Sequence, residues 1–188
     1  MHVKALPPDQ TEHFHAVRFY ESKTSLCRTV ADFLSRGFDL GQPALVIGTP
    51  EHTDGVLEEL RSRSVNVDEL VTAGDVVLLD ARKILATFMR DGLPDAERFG
   101  ATITAAIDRL CRGRKDCTIR AYGEMVDVLW QDGLTSAAIR LEMLWNQLAM
   151  SRDFSLLCGY AIGSFYKDAG LREVCAQHSY VIPANAVL

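Results

Sequence analysis

Residues 44–52 read Ala-Leu-Val-Ile-Gly-Thr-Pro-Glu-His. The run Ala44 to Gly48 is apolar without alternation, the pattern of a strand covered on both faces and so interior to a parallel sheet. Thr49 then offers an N-cap, and Pro50 suits the first helical position because its missing N–H has no partner to lose there. A helix through Val56, Leu57 and Leu60 is predicted, with His52 in its first turn. A buried strand that runs straight into a helix is the building block of a βα fold.

Working outward, short runs rich in valine, isoleucine and leucine alternate with amphipathic stretches of helical period. Before the quoted stretch lie a strand, Ala16 to Tyr20, the polar turn Glu21-Ser22-Lys23, and a helix burying Leu26, Val30, Phe33 and Leu34, with Gly37 and Gly41 loosening its exit. After it comes a strand from Val76 to Leu79 ending in Asp80, then a short helix with Ile84, Leu85, Phe88 and Met89 on one side, and the turn Gly92 to Asp95. A longer helix follows with Phe99, Ile103, Ala106, Ile107 and Leu110, closed near Gly113 ahead of a strand from Cys117 to Tyr122. Gly123 to Trp130 is apolar at mixed spacing. Thr135 can cap a helix carrying Ile139, Leu141, Leu144, Trp145 and Leu148, and the fifth strand is Ser155 to Ile162. A coda holds a helical turn, Leu171 to Cys175, and an extended piece, Tyr180 to Ile182, which the sequence does not place. The expected fold class is α/β, a three-layer, doubly wound, mainly parallel sheet. Residues 1–12 read as a flexible leader and residues 13–188 as a single domain.

Of the 188 residues, 48% are hydrophobic, enough for one substantial core. The net charge of −5, with lysines and arginines scattered, argues against direct nucleic-acid or anionic-membrane binding. No apolar run reaches the roughly 20 residues of a membrane span, and the first residues lack an apolar signal region, so a cytoplasmic location is expected. The five cysteines, Cys27, Cys111, Cys117, Cys158 and Cys175, form no CxxC pair and fit a reduced compartment, most of them as small core residues.

In an open parallel sheet ligands sit beyond the carboxyl ends of the strands. That rule selects Tyr20 and Glu21, Thr49 and His52, Asp80 and Arg82, Glu124, and Tyr160. Ser22-Lys23-Thr24 stands where a phosphate loop would put Gly-Lys-Thr, but the turn is short and has no glycine, so it fails the GxxxxGK[ST] requirement. Lys23 is then a solvated lysine, and ATP hydrolysis is not expected. Glu124 occupies the strand end where RecA-like ATPases place a metal-linked or water-activating acid, and equally suits a carboxylate at a helix start. Asp80 and Arg82 form either a ligand clamp or a local ion pair, and the ion pair is the expectation. Cys175 and His178 have C-x-x-H spacing, which His52, His15 or Cys158 would have to complete to hold a metal, and the plainer reading is a buried thiol beside a hydrogen-bonded histidine. A cysteine–histidine nucleophile lacks an assignable orienting residue. Glu142, Trp145 and Asn146 share a helix face that could line a pocket beside Trp130, although aromatics at this spacing usually pack in cores, and Trp145 is expected against the sheet.

Five segments carry a resemblance: FLSRGFDLGQPALVIGTPEH (33–52), LLDARKILATFMRDGLPDAERF (78–99), RAYGEMVDVLWQDGLTSAAIRLEMLWNQL (120–148), FSLLCGY (154–160) and VCAQHSYVIPA (174–184). TPEH, GEMV-x-x-LW and RLE-x-LWN are the most specific parts. Together they resemble the MEDS family, the methanogen/methylotroph, DcmR sensory domain, which is similar to RecA/KaiC-like domains. The resemblance implies a RecA/KaiC-like sheet without a Walker A loop and a sensory role toward small, hydrocarbon-derived molecules, beside a DNA-binding or histidine-kinase output module. No helix-turn-helix or kinase segment precedes Leu188, so a histidine kinase or transcriptional regulator is expected as a separate partner or as part of a longer protein.

The leading expectation is therefore a non-catalytic sensory domain with no cofactor and no assigned metal. Its ligand-binding candidates are Tyr20, His52, Glu124, Trp130, Glu142, Trp145 and Tyr160, and its candidate ligand, thiol or metal cluster is His15, Cys158, Cys175 and His178. The alternatives are an enzyme with residual nucleotide-dependent or hydrolytic activity built on Glu124, His52 and Cys175, and an interaction module that forms homo-oligomers.

Overall fold

A computed structural model describes residues 13–165 and 170–183. The leader expected at residues 1–12 lies outside the described residues. The chain runs β1 (His15–Tyr20), α1 (Lys23–Asp39), β2 (Ala44–Gly48), α2 (Pro50–Ser62), α3 (Val67–Ala73), β3 (Val76–Asp80), α4 (Ala81–Phe88), β4 (Met89–Arg90), β5 (Leu93–Pro94), α5 (Ala96–Leu110), β6 (Ile119–Gly123), α6 (Met125–Gln131), α7 (Thr135–Ala149), β7 (Phe154–Ala161), α8 (Leu171–Ala176) and β8 (Tyr180–Ile182). Six strands form one parallel sheet in the order β3-β2-β6-β7-β1-β8, and β4 and β5 make a separate antiparallel pair.

Strand alternation divides the core in two, because successive side chains point to opposite faces. On β2, Leu45 and Ile47 join the layer built by α4 to α7, with Phe88, Phe99, Ile103 and Trp145, whereas Ala44 and Val46 join the layer of α1 to α3, with Leu26, Leu34, Val56 and Leu60. The molecule is thus a three-layer α/β fold, and the unbroken apolar run of β2 is explained by cover on both faces. β2 is also hydrogen-bonded on both sides, to β3 and β6.

This winding creates switch points, where neighbouring strands send their connections to opposite faces. β2 leads into α2 on one face and its neighbour β6 leads into α6 on the other; the same reversal separates β1, which leads into α1, from β7, whose continuation packs Val174 of α8 on the α6 side. Chain diverges above both seams, and helix starts face them.

Several expectations are corrected. Cys111 and Cys117 are joined in a disulfide, so the cysteines are not all reduced thiols; Gly113 and Asp116, both at positive φ, fold the intervening turn back on itself and the Cα atoms approach to 5.5 Å. Cys27, Cys158 and Cys175 are free. The next strand starts at Ile119 rather than Cys117 and runs to Gly123. Thr135 is the first residue of α7 rather than its cap, a position taken by Leu134 with no side-chain cap bond. The apolar stretch after Gly123 is a helix, α6, buried from Met125 to Trp130. The coda is placed: β8 adds in parallel to the free side of β1, pairing Tyr180 to Ile182 with Ala16 to Arg18, and Arg18 donates to the carbonyl of Pro183 at 2.6 Å. Among the described residues no helix is long and apolar enough to cross a membrane.

One contact deep in the α1 layer yields a prediction. Arg120 of β6 is fully buried, donates through Nε to Gln42 at 2.7 Å, and lays its guanidinium over the rings of Phe33 and Phe14 at 5.1 and 5.7 Å. Its stem runs against Gly37 of α1, where an added Cβ would stand 2.3 Å from Arg120 Cγ. Gly37→Ala, which intrinsic helix propensity alone would favour, is therefore expected to destabilise the chain by about 1–3 kcal/mol through overpacking. Chemical denaturation checks it, and a stabilised variant would mean that Arg120 can leave its slot.

Candidate functional site

Two groups of polar side chains are assembled from distant parts of the sequence. The first fills the seams at the carboxyl ends. Glu124, at the end of β6, accepts the backbone N–H of Thr49 at the start of α2, meets Nδ1 of His52 at 2.8 Å, and accepts the hydroxyl of Tyr122 at 2.7 Å. It thereby bridges the β2–β6 seam. One turn along α6, Asp127 accepts the hydroxyl of Tyr20 at 2.8 Å, Gln131 Nε2 at 2.7 Å and the backbone N–H of Ala161 at 3.1 Å, and so bridges the β1–β7 seam. The Tyr20 ring stands edge-on to His52, centroids 5.7 Å apart, linking the two halves. Both carboxylates are buried, whereas the His52 side chain keeps 17% exposure and forms the outer limit of the network.

These contacts set charge states. The hydrogen bond to Glu124 outweighs burial and raises the His52 pKa above its ordinary 6.5. Burial alone would raise the Glu124 carboxyl, but hydrogen bonds from His52, Thr49 and Tyr122 outweigh it and hold the group below 4.5. For Asp127 burial prevails, and the carboxyl is raised. The stabilisation from His52 is complete below about pH 6.5 and is lost as pH rises through its raised pKa; that from Glu124 is complete above about pH 4.5 and is lost as pH falls through its lowered pKa. The pair is therefore at full strength between these limits. His52→Gln should remove the decline in stability on the alkaline side, measured as denaturation midpoint against pH, and an unchanged profile would show that the pair does not govern it.

The second group lies within the α7 layer. His15 (β1), Glu142 (α7), Cys158 (β7) and His178, which follows α8, bring one ligand atom each to within 4.8 Å of one another. His15 Nε2 is 3.3 Å from Cys158 Sγ and 3.2 Å from Glu142 Oε2; His178 Nε2 is 3.4 Å from Glu142 Oε1; and the two imidazoles are 4.1 Å apart. Tyr160 donates to Glu142 Oε1 at 3.0 Å. Glu142 and the His178 side chain have no exposure. Despite this burial, the two histidines hold the Glu142 carboxyl far below the ordinary range.

The expected site residues divide between these groups and the core. Tyr20, His52 and Glu124 meet in the first; Glu142, His15, Cys158, His178 and Tyr160 meet in the second. Cys175 stays outside, packed half-buried against the core, and the thiol of the group is that of Cys158 from the sheet. Trp145 is 1% exposed and wedged between Phe99 and Phe154 at 5.2 and 5.8 Å, so it is a core side chain. The cleft beside Trp130 is lined by Thr135, Ser136, Ile139, Gly170 and Glu173, not by Glu142, Trp145 or Asn146. Trp130 itself packs on Phe165 and Tyr160. Asp80 and Arg82 do not pair: Asp80 caps α4 through Lys83 N, and Arg82 makes a two-pronged bond to Asp132 at 2.8 and 3.2 Å. Lys23 is exposed and contacts Glu51 at 3.4 Å.

A family model for the methanogen/methylotroph, DcmR sensory domain, abbreviated MEDS, matches residues 14–179. The chain belongs to the MEDS family. No curated protein matches it. The match spans both polar groups of this MEDS domain, from His15 to His178, and carries with it a sensory role in signal transduction. Sequence reasoning overlooked Asp127, Tyr122 and Gln131 in the MEDS domain. Asp127 had a usable signal: an acid three residues from Glu124 in an apolar helix, whose burial requires partners.

Proposed function

We propose that this MEDS domain is a non-catalytic, cytoplasmic sensor that binds a small, hydrocarbon-derived molecule at the seam rimmed by Tyr20 and His52, on a RecA/KaiC-like sheet that has lost its phosphate loop. The observation that carries this reading is the way Glu124 holds His52 and the N–H of Thr49, the cap residue of α2, at once. A ligand that hydrogen-bonds His52 at Nδ1 competes with Glu124 for the imidazole and so alters the hold on α2, which gives binding a mechanical outcome. Its differential affinity for the two arrangements is the signal. Only Glu21 and Ser22 separate β1 from α1, which leaves no length of backbone to wrap a triphosphate. Glu124 already has three partners, which favours a positioning role over a catalytic one. The output passes to a histidine kinase or transcriptional regulator, with a homo-oligomer as the other assembly.

Thermal-shift measurements on the full chain test this, using short-chain alcohols, carboxylic acids and alkyl halides beside ATP with magnesium. Stabilisation by an organic compound that His52→Ala abolishes is the expected result. Stabilisation by ATP and magnesium alone would overturn it.

A further inference from the structure

We propose that His15, Glu142, Cys158 and His178 form a zinc site that clamps the C-terminal segment to the interior of the sheet. The orientation of both imidazoles supports it. Asn146 donates through Nδ2 to the Gln177 carbonyl at 3.0 Å, which turns its Oδ1 toward His15, and His15 Nδ1 meets that oxygen at 2.9 Å. A carbonyl oxygen only accepts, so Nδ1 carries the proton and the Nε2 lone pair of His15 points inward. His178 Nδ1 meets the Val174 carbonyl at 2.7 Å, which fixes its Nε2 in the same way. Metal-binding histidines are held like this, by an oxygen acceptor on the far ring nitrogen.

Two lone pairs therefore converge on a carboxylate and a thiol, the donor types of a divalent-cation site. Among the described residues, His178 Nε2 is a buried nitrogen with no hydrogen-bond partner. A single proton on His15 would leave His178 Nε2 unmatched; one on His178 would face Glu142 Oε1 at 3.4 Å without hydrogen-bond geometry; protons on both would leave an excess positive charge in the core. A divalent ion satisfies all four donors, and its charge is balanced by one thiolate and one carboxylate. Metal–nitrogen bonds of about 2.0–2.1 Å and a metal–sulfur bond of about 2.3 Å give tetrahedral edges of roughly 3.3–3.6 Å. His15 Nε2, Cys158 Sγ and Glu142 Oε2 already stand 3.2 to 3.5 Å from one another, His178 Nε2 is 3.4 Å from the other carboxylate oxygen, and all four donors lie within 4.8 Å, so a small inward movement closes the set. The mixed nitrogen, sulfur and oxygen set favours zinc over magnesium or calcium, and four protein ligands make a closed, structural site. Binding releases the Cys158 proton.

The experiment measures metal in the full chain purified without metal-affinity steps, then replaces it with cobalt under reducing conditions. Stoichiometric zinc, and a cobalt spectrum with tetrahedral and thiolate charge-transfer bands, are expected for the wild type and for Cys175→Ala. Cys158→Ser and His178→Gln should lose both. Where either variant fails to fold by circular dichroism, the wild-type cobalt spectrum decides, because it reports thiolate ligation directly. Absence of zinc together with a featureless cobalt spectrum in the wild type, or loss of the metal in Cys175→Ala, would overturn the site.

Discussion

Trp145→Ala is expected to cost about 3–5 kcal/mol of stability, the range for emptying an aromatic from a packed core. The indole is among the largest fully buried side chains and sits edge-on to both Phe99 and Phe154, so α5, α7 and β7 meet around it. Against a typical domain stability of about 5–15 kcal/mol, this loss approaches unfolding. Urea denaturation measures it. A loss below about 1 kcal/mol would indicate that the ring borders open space, as a ligand-contacting role would require. Trp145→Phe should restore much of the stability and leave ligand-induced shifts intact, separating packing from recognition.

Glu124→Ala is the second large effect, about 3 kcal/mol, because it strands three groups together. The Thr49 N–H, the Tyr122 hydroxyl and the His52 imidazole all lose their bond to the carboxylate, and Tyr122 is fully buried whereas Thr49 and His52 are half-buried. Glu124→Gln should be milder, since the amide oxygen still accepts one bond, yet it should return the His52 pKa toward its ordinary value. Denaturation gives the first quantity and an NMR titration of His52 the second. An alanine variant as stable as the wild type would show that water replaces the carboxylate at this seam, and the proposed link between His52 and α2 would fail with it.

How much of this was legible in the sequence depended on whether a feature was local. β2 and α2 announce themselves because burial on both faces and the Thr49-Pro50 start are written in consecutive residues. α3 was missed although Asn66 and Gly74 cap it, since in its seven residues only Val67 is fully buried and no apolar stripe forms. The β4–β5 pair, two residues on each side, is too short for alternation to register. At the carboxyl ends, the strand rule found Tyr20, His52 and Glu124, but it could not join Asp127 to Tyr20 across 107 positions. The pairing of Cys175 with His178 failed for the same reason in reverse: their proximity in sequence was visible, while the approach of Cys158 and Glu142 required β1, β7 and α7 to be packed first. Glu142 and Asn146 were read as sharing one helix face, and both do reach His15, but that face was aimed at a pocket beside Trp130 for want of that packing.

β8 contributes only three residues to the sheet, yet its position has consequences beyond its size. It occupies the outer margin of β1, a strand whose amides and carbonyls would otherwise be offered to any passing chain in an extended form. Prising Tyr180 to Ile182 away would replace a three-residue margin by the six-residue one of β1, long enough to recruit a foreign strand or a second molecule by the same main-chain ladder.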